Sequence, residues 1–329
     1  MADQEQSDSR DKTKYVKDAD KRRAQILSRV LGEHDLYTAQ RDKRVELLEK
    51  LEAQAPKGKE TAYIAFICSA GASIDSDDIP AFGDVLLSIG EVDQLNLIID
   101  SPGGDGTIAE KIIELCRAYC KEFKVIVPNR AKSAATIIAL GADEILMGYC
   151  SELGPIDAQV WVVVGGVPRL ISAQSFIDSR VALEKRYYSA ARSRRDTKPI
   201  LQQLAVLDAP FIDHCVKLME FTREVARKYL GKYMFAKITP ASVKKKAVDK
   251  ALKRLSSVDV FKVHGRMIDG NAAKTELKLN VRLLSKDNPL WEALWEYYVR
   301  ADMMLSKFGV SKVIESRTEV LIRGRTTNE

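Results

Sequence analysis

Residues 96–159 constrain this chain more than any other stretch, because the order strand, sharp turn, helix occurs there twice. Leu97-Ile98-Ile99 reads as an apolar strand that breaks at Asp100-Ser101-Pro102-Gly103-Gly104-Asp105-Gly106, and residues 108–120 then follow a helical period. A second apolar strand over 124–127 leads into Ala131-Lys132-Ser133-Ala134-Ala135-Thr136, which opens a helix over 137–141. The first N–H groups of a helix have no intrahelical partner, and the helix dipole adds partial positive charge at the same end. Glycine at 103, 104 and 106 lets the backbone approach a ligand closely. Such a loop can hold developing negative charge, and Ser133 at the second turn would supply a nucleophile. The GxxxxGK[ST] and GxGxxG spacings are both missing, so this is not a phosphate loop. From the glycines alone, two ordinary strand-to-helix turns are the simpler reading.

The rest of the chain supports an α/β fold. From Thr61 onward strands and helices alternate, with strands over 63–67 and 144–147 and a helix over 79–89. That order implies a largely parallel sheet covered on both faces. Two apolar runs, 161–164 and 167–171, flank Gly165-Gly166 and read as a hairpin. Residues 172–193 are helical, with a basic face from Lys185-Arg186 and the arginines of 192–195. Further helices start at Asp208 and Pro210, at Thr239-Pro240 and at Asn288-Pro289, with stops at Gly231 and Gly309. Trp291, Trp295 and Tyr298 form a stripe at helical spacing, which suits a core or a subunit interface.

Residues 1–58 read as a charged helical arm and 59–329 as the main domain. The first eleven residues have almost nothing apolar to bury and are expected to be disordered. Helices over 18–31 and 37–51 carry narrow apolar stripes, which pack either on a neighbouring subunit or on their own domain. The motif-bearing chain starts after residue 58, so it is expected to fold without the arm.

Composition narrows the class of protein. With 329 residues, 30% charged and 46% apolar, the chain is globular, and its net charge of +6 does not by itself argue for nucleic acid or a membrane surface. No run reaches the ~20 apolar residues of a membrane span. The start has no apolar segment to act as a secretory signal, and five cysteines without a C-x-x-C pair fit reduced thiols. Cys116 and Cys120 share a helix face and suit packing better than metal binding. A cytoplasmic protein without metal or cofactor is expected.

Four motifs together carry a resemblance. Asp100-Ser-Pro-Gly-Gly, Ala131-Lys-Ser133-Ala-Ala-Thr, Ile138-Ala-Leu-Gly-Ala-Asp-Glu-Ile145 and Leu153-Gly-Pro-Ile-Asp-Ala-Gln159 resemble the Clp-fold serine proteases. Within that superfamily the chain is most similar to the serine dehydrogenase proteinase family, relatives of signal-peptide peptidase A. The resemblance covers roughly 60–300. It implies the Clp/crotonase-like superhelix of ββα turns, with a helical N-terminal arm and a helical C-terminal region. It also implies a serine endopeptidase acting on peptides or proteins, assembled as a homo-oligomer. Ser133 is then the nucleophile, and the backbone N–H groups around Gly103, Gly104, Asp105 and Ala134 are the oxyanion donors.

The base is where the sequence departs from its relatives. A serine hydroxyl needs a base to take its proton. Clp proteases carry a His in the segment corresponding to 154–159, where this chain has Asp157 and Gln159. Signal-peptide peptidases use a Lys, but no lysine here falls on a motif position. Lys132 adjoins Ser133, and adjacent side chains usually point apart. Relatives also tend to carry Gly where this chain has Ala135. His264, in Val263-His-Gly-Arg-Met-Ile268, resembles the family's late motif, so the resemblance implies a catalytic set of Ser133, His264 and Asp157, with a structural His264 and an unassigned lysine base as the alternative. Two other readings stand beside the peptidase: a binding or assembly protein that kept the fold and lost its base, and a crotonase-like acyl-CoA enzyme. The Ser-x-x-Thr turn and the Gly-Pro-Ile-Asp-x-Gln segment argue against the last.

Overall fold

Strand burial decides the architecture. The computed structural model describes residues 38–256 and 267–324. Helix α1 (Thr38–Glu52) precedes β1 (Thr61–Cys68), α2 (Asp78–Ile89), β2 (Val92–Asp100), α3 (Gly106–Ala118), β3 (Cys120–Val127), β4 (Arg130–Ala131), α4 (Ala134–Leu140), β5 (Glu144–Met147) and β6 (Glu152–Leu153). A hairpin of β7 (Gln159–Val164) and β8 (Val167–Ser172) leads to α5 (Ala173–Arg192), α6 (Lys198–Ala205), α7 (Ala209–Tyr229) and α8 (Ala241–Leu255). The chain closes with β9 (Ile268–Asp269), α9 (Gly270–Thr275), β10 (Val281–Leu283), α10 (Pro289–Phe308), β11 (Val310–Glu315) and β12 (Val320–Gly324).

In β1, Ile64 and Phe66 enter one hydrophobic cluster while Tyr63, Ala65 and Ile67 enter another. Both faces of the strand are therefore dry, as a central strand between two helical layers requires. The main sheet has the order β10-β5-β3-β2-β1-β11-β12. Its first five strands pair in parallel, and β11 and β12 extend it antiparallel. The larger cluster lies under α2, α3, α4, α7 and α8; the second lies under α1 and α10.

Short extra strands follow the long ones. After β2, Ser101 bridges Ala131 in parallel; after β3, β4 pairs with β6; and β6 pairs antiparallel with β9. Strand, short second strand and helix thus recur, which is the ββα turn expected of the Clp fold.

Several expectations are refined by packing. The stop expected at Gly231 is absent, because α7 runs on through a π turn over Leu230–Met234. Trp291, Trp295 and Tyr298 are buried on α10 against the sheet, so this stripe is core and not a subunit face. The hairpin and the basic helix stand as read, with Val164 paired to Val167 across Gly165-Gly166. No helix among the described residues is long and apolar enough to cross a membrane. The disordered start and the helix expected over 18–31 lie outside the described residues.

Helix α1 docks on its own domain. Leu48 and Leu51 join the cluster under α10, and buried Arg44 pairs with buried Glu315 of β11, at 2.6 Å from Nε to Oε1 and 3.0 Å from its NH2 nitrogen to Oε2. The Tyr297 hydroxyl also donates to Glu315. Removing residues 1–58 would strand that carboxylate and uncover Leu48's pocket, so the domain is not expected to keep its stability without α1. Removing one partner of a buried pair costs roughly 3–5 kcal/mol, because the other charge stays buried. Arg44→Met should therefore lower the unfolding free energy by about that amount in urea titration, and truncation at residue 59 should lower it further.

Candidate active site

Two turns are stitched together at the end of the parallel sheet. Asp100 ends β2 and is buried; its Oδ1 accepts from the Arg130 N–H at 2.9 Å and from Asn129 Nδ2 at 3.2 Å. The Ser101 N–H donates to Arg130 O at 3.0 Å, and the Lys132 N–H donates to Ser101 O at 3.1 Å. This ladder carries the glycine turn alongside the serine turn. Thr136 ties in a third segment, since its hydroxyl lies 2.7 Å from Ala131 O and accepts from the Gly154 N–H at 3.2 Å.

Ser133 caps α4 with φ +50° and ψ −116°, a conformation that L-residues rarely adopt. Such strain persists only where the surroundings impose it, and here Gly103 does so. A Cβ at Gly103 would lie 2.7 Å from both Ser133 Cβ and Lys132 O. Any side chain there would push the two turns apart. Gly104, at φ +150°, has Ile74 against it on the other side, with Ile74 N and O at 2.4 and 2.3 Å from the position a Cβ would take.

A cavity of about 270 Å³ opens beside these turns. Ser133, Ala134, Gly104 and Asp105 line it, with Ile137, Ile156, Leu218 and Phe221 among its apolar walls. Among the described residues, the N–H groups of Gly104 and Ala134 have no protein acceptor. Both belong to residues that line the cavity with Ser133, which is where donors to an oxyanion would stand.

Two expected donors are corrected. The Asp105 N–H is spent on Ile74 O at 2.9 Å, and its carboxylate caps α3 by accepting from the Thr107 N–H at 2.7 Å. The Gly103 N–H donates to Ser101 Oγ at 3.1 Å, so Gly103 serves by its missing side chain. Ala135 fits because the second residue of α4 is helical and does not need glycine's freedom; its N–H donates to Lys132 O at 2.9 Å. Lys132 runs along Gly154 and pairs through Nζ with Glu152 at 2.7 Å, and it does not line the cavity.

The expected base residues are not assembled in the same way. Asp157 is buried between Ile156 and Ala158, and both neighbours line the cavity while Asp157 does not. His264 lies outside the described residues. The described chain on either side of it is anchored beside the site: the Ile156 N–H donates to Leu255 O at 2.9 Å, and Ile268 pairs with Leu153. The described cavity wall contains no His, Lys or Arg. Sequence reasoning missed the wall given by Leu218, Phe221 and Thr222 of α7, because helical spacing can mark a buried face without saying what covers it. It also missed Ile74, for which the sequence carries no signal.

The chain is similar to known proteins over part of its length. The sequence pattern described as ClpP-like SDH-type serine proteinase matches residues 83–170. The match is to this stretch alone. It spans both turns, Ser133 and the 153–159 segment, and it leaves out the α7 wall. Two uncharacterized proteins of Methanocaldococcus jannaschii are 44% and 38% identical over 66 residues, 20% of this chain and 23% of each of theirs. The aligned stretch thus spans under a quarter of the length of those relatives. Among solved structures, a ClpP1 variant from Listeria monocytogenes aligns over 76% of this chain and 98% of its own, with 12% identity and a TM-score of 0.35. A variant of the 1510-N membrane-bound stomatin-specific protease aligns over 68% and 95%, with 18% identity and a TM-score of 0.29.

Burial pushes the Asp100 carboxyl up to about 6, against the opposing pull of Arg130 and the hydrogen bonds it accepts. The folded protein therefore holds this proton more tightly than the unfolded chain, whose carboxyl titrates near ~3.9. Stability should fall as pH rises from about 4 to about 6, by on the order of 3 kcal/mol from this group, and stay level on either side. Asp100→Asn keeps an acceptor at Oδ1 and should flatten that slope in denaturant titrations across pH 4–7. An unchanged slope would assign the titration to another group.

Proposed function

We propose that this chain works as a serine peptidase with Ser133 as its nucleophile. The observation that carries the reading is the shared cavity of a strained Ser133 and two unspent N–H donors, Gly104 and Ala134. In this reading the Ser133 Oγ attacks the carbonyl carbon of a peptide bond and gives its proton to a base. The carbonyl oxygen becomes an oxyanion between the two N–H groups. Collapse, with the protonated base returning its proton to the nitrogen, expels the amine and leaves an acyl-serine ester, which water hydrolyses as the base takes the water's proton and passes it back to Ser133. Each oxyanion donor of this kind is worth roughly 2.7–4 kcal/mol of transition-state stabilisation.

The base in this scheme is His264, with Asp157 as a group that orients the segment. Support comes from the two anchors beside the site, at Leu255 and Ile268, between which His264 falls in sequence. A cavity wall without a described base also suits a binding protein that kept the fold, and the same experiment separates the two. An active-site fluorophosphonate should label the wild type once per chain and leave folded Ser133→Ala unlabelled. His264→Ala should cut peptide turnover by about 10²–10⁴-fold, the usual worth of general acid–base help. Activity should rise with pH through a value near ~6.5 if the base is a histidine. Wild-type protein that neither labels nor cleaves would favour the binding reading. Full activity in His264→Ala would move the base elsewhere.

The same reading makes the protein a cytoplasmic homo-oligomer. Free thiols at Cys68, Cys116, Cys120, Cys150 and Cys215 support the first part. The hairpin supports the second: Trp161 and Val163, 70% and 69% exposed, share a face with Leu170 and Pro168. Isolated domains seldom leave such a face to water. Light scattering at micromolar concentration should return a multiple of the 36.8 kDa chain mass, and a monomer mass would rule assembly out.

A further inference from the structure

One cation lies far from the serine turn in sequence yet acts on the loop beside it. Lys312 stands on β11, paired in register with Cys68 at the end of β1, and its side chain is only 5% exposed. Its Nζ lies 2.7 Å from Asp75 Oδ2 and 2.9 and 3.1 Å from the two oxygens of Asp78, which is fully buried. Asp78 Oδ2 also accepts from the Asp75 N–H at 2.9 Å. Three charges are thus fixed at the segment that links β1 to α2. A buried ionic group of this kind is commonly no more stabilising than apolar residues of similar volume, so its use has to be sought in the geometry it imposes.

That geometry ends at Gly104. Ile74 directly precedes Asp75; its N–H donates to Gly103 O at 2.8 Å and its carbonyl accepts from the Asp105 N–H at 2.9 Å. The residue between those two bonds is Gly104, and its Cα lies so close to Ile74 that no side chain fits. The peptide planes on both sides of Gly104 are therefore held by the backbone of Ile74. Whatever fixes Ile74 fixes the direction in which the Gly104 N–H points.

We propose that Lys312 is a positioning residue for the oxyanion turn, holding Asp75 and Asp78 so that Ile74 sets the orientation of the Gly104 N–H toward the cavity. The proposal rests on Gly104 being an oxyanion donor, as in the peptidase reading. It places a requirement for the active site in the C-terminal hairpin, outside the 83–170 segment.

The test uses the full chain. Lys312→Met keeps the volume and removes the charge. Hydrogen exchange, followed by mass spectrometry on the peptides carrying Ile74 and Asp105, should quicken at least tenfold. Peptides carrying Lys132 and Ile145, whose N–H groups donate to Ser101 O and Asn280 O, should keep their wild-type rates. In the peptidase assay kcat should fall at least tenfold, with KM within about twofold and the pH profile unshifted. Lys312→Arg should restore part of the protection. Arg44→Met breaks the buried Arg44–Glu315 pair of β11 and should lower stability while leaving exchange at Ile74 and Asp105 alone. If Lys312→Met does not fold, Asp75→Asn, at a half-exposed side chain, should give the same local quickening. Unchanged exchange at Ile74 and Asp105, or a uniform quickening of every peptide, would overturn the proposal. If the wild type cleaves no peptide, the exchange experiment still decides what Lys312 holds, and the failure belongs to the peptidase reading.

Discussion

The contact on which the site depends is the one between Gly103 and Ser133. The two turns approach until a single Cβ would be 2.7 Å from its neighbour, and at that distance Ser133 takes a backbone conformation that it would avoid alone. The strain is compensated nearby. Asp100 and Ser101 bond to the chain on either side of Ala131, Thr136 bonds to Gly154, and the short strands β4, β6 and β9 pair in series. Each tie is an ordinary hydrogen bond of modest net worth. Together they leave the serine turn one position to occupy.

Those ties sit at the ends of strands whose interiors are dry. Leu95, Leu97 and Ile99 face one helical layer while Ile98 faces the other, so β2 cannot slip by one residue without moving its apolar set to the wrong side. The register of the sheet, Ile64 opposite Leu97 and Ile98 opposite Ile126, therefore also sets where the two turns emerge. The hydrophobic core thus sets where the glycine and serine turns stand, and Ala134 belongs to both core and turn.

The charged interior follows a different logic. Arg44 with Glu315, and Lys312 with Asp75 and Asp78, both join β11 to chain far away in sequence. β11 and β12 are the antiparallel addition to an otherwise parallel sheet. Buried ion pairs penalise every register but one, because a shifted strand would leave a charge without its partner.

Much of the site was legible in the sequence because its elements are local. Glycines at 103 and 104, a serine just ahead of a helix, and small residues around both turns announce sharp strand-to-helix connections with a serine at one of them, since these features depend on backbone freedom within a few residues. The alternation of strands and helices likewise announces a parallel sheet. The tertiary structure alone decided which N–H groups stay unspent. Asp105 loses its donor to Ile74 and Gly103 loses its own to Ser101, bonds that exist only once separate loops meet. It also decided that the Trp291 stripe is core, that α1 belongs to the domain it precedes, and that Phe221 and Leu218 wall the cavity. An amphipathic pattern records that a face is buried, because burial is set by the residue's own transfer from water. It does not record the partner, because apolar surfaces attract one another without regard to sequence.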